Sequence, residues 1–187
     1  MKAIAAFALV AAAFAAPAMA QSSDDADVPI TGTVAQVCSL GAPSQASIAL
    51  GQLINTSGVR VGRLAAIPAQ SVSLPNSFCN FAGSSVSVSA TAVINTDGSA
   101  VQPGFSRAVN YVAGVAGWAS APTTVATSAT ANGGSPTASA AGGVQPTPRL
   151  GDLTLSLNSF SVPSDALLTS GAYAGQITIT LGPVGGL

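Results

Sequence analysis

Val28–Asn80 reads VPITGTVAQVCSLGAPSQASIALGQLINTSGVRVGRLAAIPAQSVSLPNSFCN and holds the only two cysteines, Cys38 and Cys79. Each closes a short run in which apolar residues alternate with small polar ones. Val28, Ile30, Gly32 and Val34 take alternate positions ahead of the first, and Val72 and Leu74 ahead of the second. A period of two puts apolar side chains on one face of an extended chain. Two strands that end in half-cystines predict a staple across a small β domain.

Upstream, residues 1–20 read as a secretory signal peptide. Lys2 supplies the positive start, Ala3 to Ala16 the apolar stretch, and Ala18-Met19-Ala20 a small-x-small cleavage site. The stretch is shorter than the roughly 20 residues a spanning helix needs, and Pro17 ends it, so export is expected rather than a membrane span. In an exported chain two cysteines most often pair. The bridge would close a loop of about 40 residues, worth roughly 3–4 kcal/mol on the chain-entropy estimate. Two free thiols acting as zinc ligands would need partners the chain lacks, since it has no histidine and no third cysteine.

Removing the leader removes the only lysine, leaving Arg60, Arg63, Arg107 and Arg149 against six aspartates, with no glutamate. Such a surface relies on Ser, Thr, Asn and Gln for solubility. Neutral polar surface costs less to desolvate than charged surface, which suits a protein that packs beside other copies. Nucleic acid is excluded as a partner, because neutralising phosphates takes clustered lysine and arginine.

Period two recurs along the chain. Ser85 to Ile94 reads as one strand with Val86, Val88, Ala90, Ala92 and Ile94 inward, followed by turn residues Asn95-Thr96-Asp97-Gly98. Ala46 to Leu53 places Ile48 and Leu50 on one side. Arg107 to Ala113 carries Val109 and Tyr111 on one face. Leu153, Leu155 and Leu157 alternate, as do Ile177, Ile179 and Leu181. Residues 119–148 are almost wholly Ala, Ser, Thr, Gly and Pro, and are expected to form a long loop or mobile insertion with little to give a core. Helix periodicity is absent after the leader. The pattern predicts an all-β antiparallel sandwich. Its organisation would be a signal at 1–20, an N-terminal extension or first strand at 21–37, and a body at 38–187 interrupted by the insertion.

Side chains that carry chemistry are scarce. Without histidine the usual nucleophile triads cannot form, and without lysine neither Schiff-base chemistry nor a lysine-type phosphate loop is available. Asp97, Asp152 and Asp165 each stand beside turn residues, where aspartate commonly bonds local backbone. The acidic stretch at 21–27 lacks the glycine and distal glutamate of a calcium loop. Asn55-Thr56-Ser57 matches a glycosylation acceptor, relevant only in a host that glycosylates there. No enzyme activity, metal or cofactor is expected.

The order of these pieces resembles a known family. The strand ending Gly32-Thr33-Val34-Ala35-Gln36-Val37-Cys38 is followed by Ile48-Ala49-Leu50-Gly51-Gln52-Leu53, then by Val72-Ser73-Leu74-Pro75-Asn76-Ser77-Phe78-Cys79. This is similar to the N-terminal half of bacterial chaperone–usher pilins and of spore coat protein U-like secreted domains. Leu168 to Leu181, with its Gly-x-Tyr lead-in, resembles their last strand. The resemblance implies an immunoglobulin-like sandwich, complete or lacking one strand. In the second case a groove is covered first by a periplasmic chaperone and then, at an outer-membrane usher, by the N-terminal strand of the next subunit. Val28, Ile30, Gly32 and Val34 would be the donated side chains. Ile177, Ile179 and Leu181 would border the groove. The chain would then be a structural subunit of a fimbrium or coat at the cell surface, its partners other copies or related subunits. A second expectation is a monomeric secreted module that binds a glycan or protein through loops near Trp118, Tyr111 and Phe105.

Overall fold

The computed structural model describes residues 24–184, so the expected signal peptide lies outside the described residues. Residues 24–34 belong to one unit and those from Ala35 to another. In the first, residues 24–34 form no strand or helix, and Val28, Ile30 and Val34 are 81%, 97% and 88% exposed. The alternation read from the sequence is there, but no strand forms from it. In the second unit the strands are β1 (Cys38–Ser39), β2 (Gln70–Cys79), β3 (Ser84–Ala90), β4 (Val93–Asn95), β5 (Phe105–Ser106) and β6 (Ala108–Ala116). They are followed by β7 (Thr123–Ala126), β8 (Ala138–Ala141), β9 (Arg149–Ser161), β10 (Leu167–Leu168), β11 (Tyr173–Ala174) and β12 (Ile177–Pro183).

The fold is all-β, with antiparallel sheets arranged as a sandwich. One sheet runs β1-β2-β9-β6-β4-β11, with β7 also on β6, and the other runs β12-β3-β8. A short parallel pair, β10 with β5, closes one end. Alternation explains the packing. Val72 and Leu74 of β2, Leu153, Leu155 and Leu157 of β9, and Val86, Val88 and Ala90 of β3 all turn into one shared core. Their polar neighbours face out, which is how a two-layer β protein removes apolar surface from water.

Two departures from the sequence reading have clear causes. Ser85–Ile94 is not one strand, because the chain leaves the first partner at Thr91 and Ala92 and β4 joins the other sheet. Tyr111 Oη donates to the Thr91 carbonyl at 2.8 Å, and Ala92 N donates to Ser135 Oγ at 2.9 Å, so the crossing backbone is satisfied by side chains. Residues 119–148, expected as a loop, instead supply β7 to one sheet and β8 to the other. Thr123, Val125, Thr127 and Ala129 alternate inward and are buried. Small side chains let this segment approach closely: a Cβ at Gly142 would run into Thr123 Oγ1 and the Val86 carbonyl.

Tyr111 is nearly fully buried, and burial pushes its phenol up to about 12. Unfolding frees it to ionise near its ordinary value of 10.0. The neutral form is therefore favoured by the fold, and this contribution is complete below that value and lost as pH rises towards 12. An alkaline unfolding transition should thus begin above pH 10 and be blunted in Tyr111→Phe, followed by phenolate absorbance alongside circular dichroism.

Candidate functional site

The sandwich is not closed along one side. β12 pairs with β3 through Ile177–Ala90 to Pro183–Ser84, and has no strand on its other edge among the described residues. Facing that edge is the segment from Leu40 to Ile54. The strand just ahead of it, β1, extends for only two residues before the chain leaves β2. Ser44 then makes one return, donating its N–H to the Ser73 carbonyl at 2.7 Å and accepting from Ser73 N at 3.0 Å. Gly41 allows the chain to pass Pro75, because a Cβ there would overlap the Pro75 carbonyl. Beyond Ser44, residues 45–53 form no strand, although Ile48 and Leu50 were read as part of one.

Between this segment and β12 lies a cavity of about 1040 Å³. Val72, Leu74, Leu155 and Leu157 form its floor, Leu40, Ile48 and Leu53 one wall, and Ile177 and Ile179 the other. Leu168 and Tyr173 stand at one end. Burial along β12 alternates, with Ile177, Ile179 and Leu181 half-buried and Thr178 and Thr180 exposed. The two isoleucines line the cavity; Leu181 packs on the main core beyond it. The site is an apolar trough with a row of unpaired strand backbone on one lip, which invites another strand.

The trough has two mouths. At one, the Cys38–Cys79 bridge joins β1 to β2, and Asn80 ties down the start of the body. Asn80 Nδ2 donates to the Ala35 carbonyl, and Val37 N donates to Asn80 Oδ1, each at 2.8 Å. At the other, Leu53 and Ile54 lead into a hairpin. Asn55 N donates to the Arg63 carbonyl at 3.0 Å and Gly62 N to the Asn55 carbonyl at 2.9 Å. Arg60 bonds Asp165 at 2.7 Å, and Arg63 donates to the Asp165 carbonyl. The Arg60 hydrogen bond, with the charges of both guanidiniums, holds the Asp165 carboxyl below its ordinary range.

Other residues singled out by sequence have structural duties. Tyr111 and Trp118 are each 2% exposed and belong to the core, and Tyr111 also borders the cavity. Arg149 lies 5.9 Å from the Trp118 ring centre. Phe105 is exposed and pairs with Leu167. Asp152 accepts from Asn76 N at 2.9 Å, where β2 is bulged. The Asn55 amide donates to the Leu64 carbonyl at 3.1 Å. Among the described residues no three His, Cys, Asp or Glu side chains gather as metal ligands, and no helix is long and apolar enough to cross a membrane. The trough itself was not visible residue by residue in the sequence, because its lining comes from segments far apart in the chain.

Compared with known proteins, the chain matches no family model, no curated protein and no solved structure.

Proposed function

We propose that this protein is a non-enzymatic structural subunit of a bacterial surface fibre or coat, assembled by donor-strand exchange. The observation that carries the reading is the open apolar trough beside the free edge of β12. The leader Val28–Val34 fits it in kind and in length. It offers alternating apolar side chains that are exposed in its own chain. Its seven residues span about 23 Å when extended, as do the seven of β12. Laid along β12 it would pair the unpaired backbone and place Val28, Ile30 and Val34 over Ile177, Ile179 and the trough floor, a β-augmentation.

An incomplete immunoglobulin-like sandwich fits the same details. Tyr173 Oη donates to the Thr169 carbonyl at 2.8 Å just ahead of β12, as the tyrosine corner of such domains does ahead of a late strand. A periplasmic chaperone would cover the trough before assembly and an outer-membrane usher would pass subunits on. Ile179→Asp tests the reading, because a carboxylate on the trough wall cannot be buried without a partner. The variant should fold and retain the Cys38–Cys79 bridge, yet form no denaturant-resistant ladder on gels. Ladders as long as those of the unmodified chain would count against strand donation.

A further inference from the structure

Three features of the body bear on how copies would meet once a leader lies in a neighbour's trough. The first is the tether. Val34 is followed directly by Ala35, and Ala35 to Cys38 are held to the body by Asn80 and the bridge. A residue spans at most about 3.6 Å. A leader seated antiparallel to β12, whose Ile177 end lies away from the bridge, therefore draws the donor's Cys38 end to within a residue or two of the mouth beside the acceptor's hairpin. The contact proposed below rests on the strand-donation reading.

The second feature is where apolar side chains are left in water. Outside the leader, the exposed large ones fall at the two ends of the sandwich and nowhere between. Val37, Val144, Leu150 and Val184 stand at the Cys38 end. Leu150 pairs with Phe78, Val184 N donates to the Gly83 carbonyl, and Val144 adjoins the Gln145–Ser84 bridge. Val59, Val61 and Phe105 stand at the other end, about 40 Å away along β9. Where exposed apolar groups gather into a patch they mark a contact surface.

The third is the hairpin that carries Val59. Arg60 and Arg63 on Asp165, and Leu168 N on the Gly62 carbonyl at 2.9 Å, brace it from both sides. Val59 at its tip is fully exposed, at 102%, so the body holds an apolar knob that it does not use. Contact between two Cys38 ends would join like faces and close a two-fold dimer, ending growth. Contact between unlike ends stays open and propagates. We propose that the Val59–Val61 hairpin of one copy docks on the Cys38 end of the next, against the rim of Val37, Leu150 and Val184.

The test uses chains that retain the leader and the native bridge. Val59→Cys and Leu150→Cys, each in a separate copy and co-expressed, should cross-link to one another. Like-with-like cross-links of Val59→Cys or Leu150→Cys as the main products would overturn the proposal. In parallel, Val59→Asp should slow ladder growth roughly tenfold or more, the effect of leaving a valine unburied. Its unfolding midpoint should not change, since the side chain touches nothing in its own body. Val59→Asp and Leu150→Asp ladders that grow like the unmodified chain would sink the end contact and leave strand donation standing. An unmodified chain that forms no ladder would sink strand donation itself, and the end contact with it.

Discussion

Copies that lack Gln21 to Val34 will act as chain terminators. On the strand-donation reading such a copy keeps a trough that can take a leader, but has none to give. Added to intact copies, it should shorten ladders in proportion to its share, and alone it should form none. The effect is large because everything the leader offers is lost together. Val28, Ile30 and Val34 would each contribute roughly 1.5–3 kcal/mol on burial. The main-chain bonds to the free edge of β12 go with them. Size-exclusion chromatography with gel ladders after mild denaturant reads the outcome. Undiminished ladders from the shortened chain would mean that association uses some other surface.

Replacing both cysteines by serine should lower stability by roughly 3–4 kcal/mol, seen as a shifted urea midpoint of the chain from Gln21. The bridge spans 41 residues of sequence, including the whole Leu40–Ile54 wall and the Arg60–Arg63 hairpin. Near the bridge that wall is held by β1, the Gly41–Ser77 bond and the Ser44–Ser73 pair, and beyond Ser44 residues 45–53 form no strand. Loss of the bridge should therefore act on the site before it acts on the core. Leader binding should weaken under conditions where Leu153 and its neighbours remain packed. A double variant as stable as the parent would show that the wall is secured in some other way.

Much of the fold was legible in period two. Val72 and Leu74, Val86 to Ala90, Val109 and Tyr111, and Leu153 to Leu157 all turn inward as the alternation implies. The pairing of Cys38 with Cys79 followed from their number and the absence of other ligands. Residues 119–148 misled because hydrophobic size was taken as the signal. There the alternation is written in Thr, Val and Ala, and close approach of backbones does what large side chains do elsewhere. The break at Thr91 was hidden for a different reason. A strand that changes sheet keeps its alternation, and only the Tyr111 and Ser135 bonds mark the crossing. For the site, sequence pointed to Ile177 and Ile179, but the facing wall was read as a strand. That wall carries alternating Ile48 and Leu50 without the backbone partner a strand needs.

The most direct measurement adds a synthetic peptide of residues 24–37, which stops short of Cys38 and so carries no thiol, to a body that begins at Ala35. Binding should be one to one, should raise the thermal midpoint by several degrees, and should be lost when Ile30 in the peptide is replaced by Asp or when Ile179→Asp is used as the body. A peptide that leaves the midpoint and the apparent mass unchanged at high excess would contradict the account, since the trough would then be no receptor for the leader.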